Sequence, residues 1–406
     1  MTAPSTNDAI SDARNLTAAV WQNRVIDTGQ CTARNGCRAS TARNYAATVP
    51  DDRIHLIVLF GGQSAEHDVS RSTARHVLAA VDLSKYHVEA IGITREGRWV
   101  RADDAMAALH RGADALPERL VTDGPAFDLL PAVGDAADAG RTVVVFPLLH
   151  GPLGEDGTVQ GLLELAGVPY VGAGVLSSAL AMDKAKAKEV LAFNGIPQAR
   201  SRAVHESDFG DHTVSELVAA LGLPAFVKPA NLGSSVGVSK AKTIDALRAA
   251  IDLAFSYDEW IVVEEAIDGR EIECAVLGNL QPRASVPGEI RPKAEFYDYD
   301  EKYVNDSADL LVPAPLSPAE VDTVQRLAIA AFKALRCEGM ARVDFFYEEY
   351  GRGFLVNELN TIPGFTPISM YPKMWQASGV SYTELVDELV ELALERHRRR
   401  RRRTDR

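Results

Sequence analysis

The stretch GMARVDFFYEEYGRGFLVNELN, residues 339–360, decides the fold that we expect for this chain. It contains two apolar runs rich in residues that favour β-strands, GMARVDFFYEE and GFLVNELN. Between them lies EEYGRG, a composition typical of a turn, with Gly351 at its centre. The stretch therefore predicts a β-hairpin that folds back on itself at Gly351.

Four polar residues of this hairpin are expected to share one surface. Side chains two positions apart on a strand point to the same face, which applies to Arg342 with Asp344 and to Glu358 with Asn360. A hairpin centred on residue 351 places Asp344 opposite Glu358 and Arg342 opposite Asn360. Carboxylate and amide oxygens suit Mg²⁺ that carries nucleotide phosphates, and a guanidinium suits a developing oxyanion. The alternative is a cross-strand salt bridge on a solvated sheet face.

Strands and helices alternate in the region that begins the folded part. The continuous apolar runs IHLIVLF (54–60) and TVVVFPLLH (142–150) are typical of buried parallel strands. A helical pattern extends from Ala65 to Ala80, and VPYVG (168–172) indicates a further strand. This alternation predicts a doubly wound α/β domain over residues 54–172.

Two further units follow this domain. The second, residues 173–267, begins with one helix that ends at Gly195, a typical helix terminator. It continues with the strands AFVKP and WIVVEEA and the small-residue loop between AFVKP and the next strand. The third unit, residues 268–395, contains the hairpin, a long helix before it and a final helix after it.

Composition restricts the class of protein. A chain of 406 residues with 46% hydrophobic and 24% charged residues is ordinary for a soluble protein of two or three domains. Its apolar runs are strand-sized, so we expect no membrane span. The net charge is −13, which argues against general nucleic-acid binding. Cys274 and Cys337 lie in apolar runs and are expected to be buried free thiols in a reducing compartment.

Both ends of the chain differ from the rest. Residues 1–53 lack sustained apolar periodicity and are expected to be disordered. Their role is open between a targeting segment, a non-native extension and a metal site at Cys31 and Cys37. Residues 396–406 hold eight Arg and one Asp. We expect a disordered, solvated tail, with contact to a polyanion as the alternative.

Two strand ends carry groups suited to a small substrate. In GGQSAEHDVS (61–70), Glu66 lies at the carboxyl edge of the predicted sheet, where ligands bind in open α/β sheets. The alternative is that Glu66 and Asp68 are ordinary acids of a helix start. In HGPLGEDGTVQG (150–161), His150 stands among glycines that allow close backbone approach, or it is a core histidine.

Lysines and small residues of the second unit suit a nucleotide. Lys184 and Lys228 lie on separate elements and can reach different phosphates. Lys228 follows a buried strand, where an unpaired ammonium would be costly, so an anionic partner is favoured. GSSVG (233–237) offers N–H groups and hydroxyls that suit phosphates, although it is not a Walker loop. Further along, Glu264, Glu265 and Glu271 flank apolar residues in an arrangement suited to adenine and ribose.

Seven motifs in this order resemble those of D-alanine–D-alanine ligases, an ATP-grasp family of peptidoglycan synthesis. They are GGQSAEHDVS, HGPLGEDGTVQG, MDK, VKPANLGSSVG, EFYDYDEKY, ARVDFF and NELNTIPGFTPIS. The resemblance covers residues 54–394 and neither tail. It implies a three-domain ATP-grasp fold with an N-terminal doubly wound, Rossmann-like domain, and ATP held between the central and C-terminal domains.

The resemblance also implies roles for individual residues. The catalytic set is Glu66, Ser234, Tyr303, Arg342 and Gly364. His150 and Ser369 would bind substrate. The ATP contacts would be Lys184, Lys228, Ser235, Glu264, Ile267, Glu271 and Lys302. Two Mg²⁺ or Mn²⁺ ions would be held by Asp344, Glu358 and Asn360. The adenine contacts are the least secure transfer, because the nucleotide segment here reads Glu265-Ala266.

The expected reaction joins two D-alanines through an acyl phosphate in a cytoplasmic enzyme of cell-wall synthesis, by resemblance a homodimer. An acyl phosphate hydrolyses if wet, which accounts for a loop at 297–312 that closes over the site. One alternative is a D-alanine–D-lactate ligase, which the presence of Tyr303 disfavours. The other is an inactive nucleotide-binding relative, which the intact set of metal ligands disfavours.

Overall fold

The computed structural model describes residues 53–210, 212–292 and 308–400. The predictions for residues 1–52, for 401–406 and for most of the loop at 297–312 therefore concern positions outside these ranges. Three β-sheets organise the described residues, each drawn from a different stretch of the chain. Within those ranges no helix is long and apolar enough to cross a membrane.

The first sheet is largely parallel and has helices on its faces. Its strands are β1 (Ile54–Gly61), β2 (Tyr86–Ile93), β3 (Trp99–Arg101) and β4 (Val143–Pro147), in the order β3-β2-β1-β4. Its helices are α1 (His67–Ala80), α2 (Asp103–Arg111), α3 (Leu129–Asp138) and α4 (Thr158–Leu165), with a 3₁₀ turn at Ala113–Ala115. β1 is parallel to β2 and β4, as its continuous apolar run predicts.

The strand predicted at 168–172 is wrong. Tyr170 makes only an isolated bridge to Val145. Pro169 has no N–H with which to extend a ladder, and Gly172 turns the chain away at φ +94°. The segment is therefore a short connection that follows the edge of the sheet.

The second sheet is antiparallel. It contains β5 (Ser201–His205), β6 (Ala225–Pro229), β7 (Ser239–Ala241) and β8 (Trp260–Glu265), in the order β5-β8-β6-β7. Its helices are α5 (Val175–Met182), α6 (Lys184–Phe193), α7 (Thr213–Leu221) and α8 (Ile244–Phe255), with a 3₁₀ turn at Glu206–Asp208. The single helix predicted before Gly195 is two helices, because the Asp183 side chain caps α6 by accepting from the Lys186 N–H at 3.0 Å.

The third sheet contains the hairpin that opened the sequence analysis. Its strands are β9 (Arg270–Gly278), β10 (Arg283–Ala284), β11 (Gly288–Arg291), β12 (Asp309–Leu311), β13 (Gly339–Glu348) and β14 (Gly353–Asn360). The helices are α9 (Pro318–Ala334), α10 (Met370–Ala377) and α11 (Tyr382–Arg400). Cys274 and Cys337 are buried free thiols, as predicted.

The predicted register of the hairpin is confirmed. Arg342 is opposite Asn360, and Asp344 is opposite Glu358. The register shifts by one residue directly after Asp344, where Phe345 pairs with Val356. This bulge follows the polar residues, so it leaves both predicted pairs on one face.

The last helix completes the core of the first sheet. Leu385 and Leu389 of α11 belong to the same buried cluster as Leu56 and Val58 of β1. The prediction of a disordered tail from residue 396 is wrong for residues 396–400, because α11 continues to Arg400. The end of α11 makes buried polar contacts, which the arginine-rich composition alone does not predict.

Arg396 provides the first of those contacts. The residue is 3% exposed, and its guanidinium donates to the carbonyls of Gly172 and Tyr170 and lies 4.2 Å from the centre of the Tyr170 ring. Arg399 and Arg400 both donate to the buried carboxylate of Glu338, which directly precedes β13. The basic end of the chain therefore joins the first sheet to the hairpin.

Candidate active site

Parts of all three predicted units line one cavity of about 210 Å³. The sequence-predicted residues that line it are Glu66, His150, Lys184, Ser234, Glu271, Arg342, Asp344, Glu358, Asn360, Gly364 and Ser369. Lys228, Ser235, Glu264 and Ile267 lie outside this lining. Tyr303 and Lys302 fall in the segment that the structure does not describe. Most of the predicted site is thus brought together.

Glu66 lies at the carboxyl edge of the first sheet, where β1 passes into α1. It is 8% exposed, and the Ser234 hydroxyl donates a hydrogen bond to its carboxylate. Two glycines make room for this carboxylate, since a Cβ on Gly151 or Gly233 would lie 2.9 or 2.8 Å from its Oε2. The interpretation of Glu66 as an ordinary helix-start acid does not fit this burial. That description suits Asp68, whose carboxylate forms ion pairs with Arg71 and Arg95.

Ser234 stands in a loop with an unusual backbone. Ser234 and Ser235 have φ values of +50° and +59°, a region that L-residues with side chains rarely adopt. Two such residues in succession persist only where the surroundings hold them. Ser234 is held by Glu66, and the adjacent Gly233 lies against the same carboxylate. The loop between β6 and β7 is therefore attached to the first sheet through Glu66.

His150 is buried beside the carboxylates of Glu155 and Glu66. Its Nδ1 lies 3.5 Å from Glu155 Oε1, and its Nε2 lies 3.2 Å from the Thr73 hydroxyl. Burial alone would lower the pKa of His150, but the charges of Glu155 and Glu66 outweigh it and raise the pKa above the ordinary value of 6.5. The two carboxylates therefore make the buried imidazole easier to protonate than a histidine in water.

The hairpin presents its four polar residues to the cavity. The Arg342 guanidinium makes two hydrogen bonds of 2.7 Å to the Asp344 carboxylate and lies 3.1 Å from Glu273. The Asn360 amide donates to Asp344 at 2.9 Å. A salt bridge does form on this face, but the side chains of Arg342 and Asp344 are only 21% and 14% exposed. The solvated-face alternative is therefore wrong, because this face lines a cavity.

The donor set on the hairpin fits a divalent cation of the magnesium type. Asp344, Glu358 and Asn360 supply two carboxylates and one amide oxygen, which is the oxygen-rich ligation that Mg²⁺ prefers. Among the described residues no group of three or more His, Cys, Asp or Glu side chains is gathered as a metal site. The hairpin has only two carboxylates in its predicted set, so its third donor is an amide.

Two lysines reach this region from the second unit. Lys184 donates to the Leu232 carbonyl at 2.5 Å, and its Nζ lies 3.8 Å from Glu358 Oε2. Lys228 donates to Asn357 at 3.1 Å and to Glu264 at 2.9 Å. Glu264 is 2% exposed and is not part of the cavity lining. Its carboxylate contacts ammonium groups and does not face the cavity.

Sequence reasoning missed Lys188, which shares Glu264 with Lys228. Its Nζ lies 3.0 Å from Glu264 Oε1, and the residue is 5% exposed. The available signal was its spacing of four from Lys184 in MDKAKAKEV, which places both side chains on one face of a helix. Solvent-exposed lysines are so common that this spacing alone did not indicate that Lys188 is buried.

The turn after β14 completes the wall of the cavity. Gly364 approaches Ser369 so closely that a Cβ on Gly364 would lie 2.7 Å from the Ser369 hydroxyl. That hydroxyl accepts from the Thr366 N–H at 3.0 Å. Ser369 also precedes α10, so its hydroxyl lies at a helix N-terminus, where negative charge is favoured.

Comparison with known proteins gives consistent matches along the chain. The family model for the D-ala D-ala ligase N-terminus matches residues 55–173, and that for the D-ala D-ala ligase C-terminus matches residues 190–391. The D-alanine–D-alanine ligase of Geobacillus thermodenitrificans is 48% identical over 347 residues, which are 84% of this chain and 95% of that protein. D-alanine–D-alanine ligase A of Chromobacterium violaceum is 48% identical over 357 residues, 85% of this chain and 96% of that protein.

Two solved structures are similar to this one. The D-alanine-D-alanine ligase from Coxiella burnetii has a TM-score of 0.70 and 39% identity, covering 86% of this chain and 97% of that chain. The VanG D-Ala:D-Ser ligase from Enterococcus faecalis has a TM-score of 0.71 and 35% identity, covering 84% of this chain and 99% of that chain.

Proposed function

The chain belongs to the D-alanine–D-alanine ligase family and has its ATP-grasp fold, and from this membership we propose the ATP-dependent ligation of two D-alanines for peptidoglycan synthesis. The observation that carries the proposal is the hairpin register, which puts Asp344 opposite Glu358 and Arg342 opposite Asn360 on the wall of the cavity that Glu66 also lines. One cavity thus holds groups suited to an amine, a phosphate and an oxyanion.

Glu66 and Ser234 bind the amino group of the first D-alanine. A buried carboxylate with a hydroxyl donor on one side keeps acceptor capacity for an ammonium group. Gly151 and Gly233 support this role, because any larger residue would move the carboxylate. His150 lies close enough to Glu66 for the two to interact electrostatically, so the amino-group site also borders an imidazole.

Asp344, Glu358 and Asn360 would hold two Mg²⁺ or Mn²⁺ ions. Divalent ions bound there would supply positive charge that offsets the phosphates of ATP during phosphoryl transfer. Asn360 now donates its amide N–H to Asp344, so its role as a ligand requires the amide to turn and present its oxygen. Lys184 and Lys228 contribute positive charge to the same phosphates, and their position next to Glu358 and Asn357 supports this.

Arg342 and the Gly364 N–H stabilise the oxyanion that forms when the second amine attacks. The Arg342 guanidinium is oriented by Asp344 and Glu273, so its position is set before substrate arrives. Ser369 receives the carboxylate of the second D-alanine at the start of α10. Glu271, Ile267, Ser235 and Lys302 complete the ATP site, Glu264 contributes to it through its contact with Lys228, and Tyr303 extends the pair Glu66–Ser234.

We propose three units over residues 54–172, 173–267 and 268–395, and the presence of one sheet in each range supports this division. We also propose that the enzyme is a cytoplasmic homodimer that acts on free D-alanine. Size-exclusion chromatography with light scattering tests the dimer.

A product assay tests the function directly. Purified full-length protein is incubated with ATP, MgCl₂ and D-alanine, and D-alanyl-D-alanine and phosphate are measured over time. We expect one phosphate for each dipeptide. Parallel reactions with D-alanine plus D-lactate or D-serine test the ester-forming alternative and the preference named for the Enterococcus relative. Product only with D-lactate or D-serine, or no product at all, would reject the proposal.

A further inference from the structure

Lys188 is a buried lysine to which the proposed reaction gives no role. It lies one helical turn after Lys184 on α6 and on the same face. Lys184 reaches the cavity, whereas Lys188 points deeper and is 5% exposed. An ammonium group is kept at such a depth only where a charged partner offsets the loss of water.

The partner of Lys188 is one oxygen of the Glu264 carboxylate. Lys188 Nζ lies 3.0 Å from Oε1, and Lys228 Nζ lies 2.9 Å from Oε2. Lys228 also donates a hydrogen bond of 3.1 Å to the Asn357 amide oxygen. Each oxygen of the Glu264 carboxylate therefore contacts a different ammonium group.

The charges of these three side chains do not cancel. Two ammonium groups share one carboxylate, and no member of the trio is more than 12% exposed. Burial alone would raise the pKa of Glu264, but Lys188 and Lys228 outweigh it and lower the pKa to about 2. Counted alone, the trio has one excess positive charge, and the carboxylates of Glu358 and Glu271 also act on the Lys228 ammonium.

We propose that Lys188 is a positioning residue, which holds Glu264 so that Glu264 and Asn357 together aim the Lys228 ammonium at the nucleotide phosphates. This rests on the proposed role of Lys228 in ATP binding. Without Lys188, both oxygens of Glu264 become available to Lys228. The ammonium then turns toward Glu264 and away from the phosphates, because a carboxylate is a stronger acceptor than an amide.

Substitution of Lys188 tests the proposal against a purely structural role. We expect K188M to raise the KM for ATP on the order of tenfold. This is the lower end of the losses seen when a residue that orients a metal ligand is substituted. The KM for D-alanine should be unchanged. K188R should recover part of the loss. K186M is the matched control, since Lys186 lies on the same helix, pairs with surface Glu189 and should behave like wild type. A lowered melting temperature of K188M with an unchanged KM for ATP would overturn the proposal.

A double-mutant cycle shows whether Lys188 acts through Lys228. If it does, K188M adds little to the loss already caused by K228M, whereas independent losses would contradict the proposal. ATP binding measured by calorimetry separates this inference from the ligase reaction. If the wild-type protein makes no dipeptide but K188M binds ATP more weakly than wild type, only the proposed ligase reaction is rejected. If the wild-type protein is an active ligase and K188M binds ATP as tightly as wild type, the proposed role of Lys188 is rejected. If K188M does not fold, K188R and K188Q provide the same comparison.

Discussion

Ser234 donates a hydrogen bond to the carboxylate of Glu66, a residue 168 positions earlier in the chain. This contact joins the loop after β6 to the carboxyl edge of the first sheet. It fixes the distance between two elements that both line the cavity. The pair therefore gives the most direct test of the proposed amino-group site.

Ser234→Ala removes the donor and should weaken substrate binding. A hydrogen bond to a charged group contributes about 1.5–3 kcal/mol, so we expect the KM for D-alanine to rise at least roughly tenfold. Steady-state kinetics at saturating ATP measure this. Ser215→Ala on exposed α7 is the control and should leave the KM unchanged. An unaltered KM for Ser234→Ala would show that the pair has no part in substrate binding.

Gly233→Ala tests the room that the same carboxylate needs. A Cβ there would lie 2.8 Å from Glu66 Oε2, so the carboxylate must move. We expect a several-fold loss of kcat/KM for D-alanine with a folded protein by circular dichroism. Gly161→Ala, inside α4 with no atom within 4 Å of the added Cβ, should keep activity and stabilise by up to about 1 kcal/mol. Equal activity of the two variants would contradict the steric argument.

Glu358→Gln tests the cation site. The change keeps the shape of the side chain but removes the charge that faces Lys184 and the cavity. We expect turnover to be abolished at saturating Mg²⁺, with the melting temperature close to wild type. Exposed Glu349→Gln, in the turn of the same hairpin, should retain full turnover. Substantial activity of Glu358→Gln would reject the metal assignment.

Arg396→Met tests the contact between the end of α11 and the first sheet. The variant leaves the buried carbonyls of Tyr170 and Gly172 without their donor, at a cost of about 1–3 kcal/mol for a buried unsatisfied group. We expect a melting temperature several degrees lower by scanning calorimetry. Arg398→Met, two residues on and exposed, is the matched control. If both variants melt like wild type, the buried guanidinium does not stabilise the fold.

The raised pKa of His150 predicts a dependence of stability on pH. A group that binds its proton more tightly when folded adds stability that is complete below its unfolded pKa, here 6.5. That stability is lost as the pH rises through the higher folded value. The difference in unfolding free energy between wild type and His150→Asn should therefore shrink as the pH rises above 6.5.

Denaturant unfolding at several pH values measures this difference. Only its change with pH is informative, since the substitution also alters packing at every pH. Exposed His110→Asn is the control and should show no such trend. A difference between wild type and His150→Asn that grows with rising pH would have the opposite sign and reject the raised pKa of His150.

The sequence by itself determined the hairpin and most of the lining of the cavity. The register of Asp344 with Glu358 followed from a turn centred on Gly351, because the period of two along a strand is a local rule. The first parallel strands were readable for the same reason, since a strand covered on both faces is apolar throughout. Local patterns were sufficient wherever the interacting residues share one element or one turn.

The tertiary structure alone decided the features that depend on distant neighbours. The spacing of four from Lys184 places Lys188 on the same helix face, but only the packing of α6 against β8 buries it beside Glu264. Arg396 looks like the start of a solvated basic tail, yet the carbonyls at Tyr170 and Gly172 hold it inside the protein. Burial of a charge depends on partners that other segments supply, and no local periodicity records where those segments will lie.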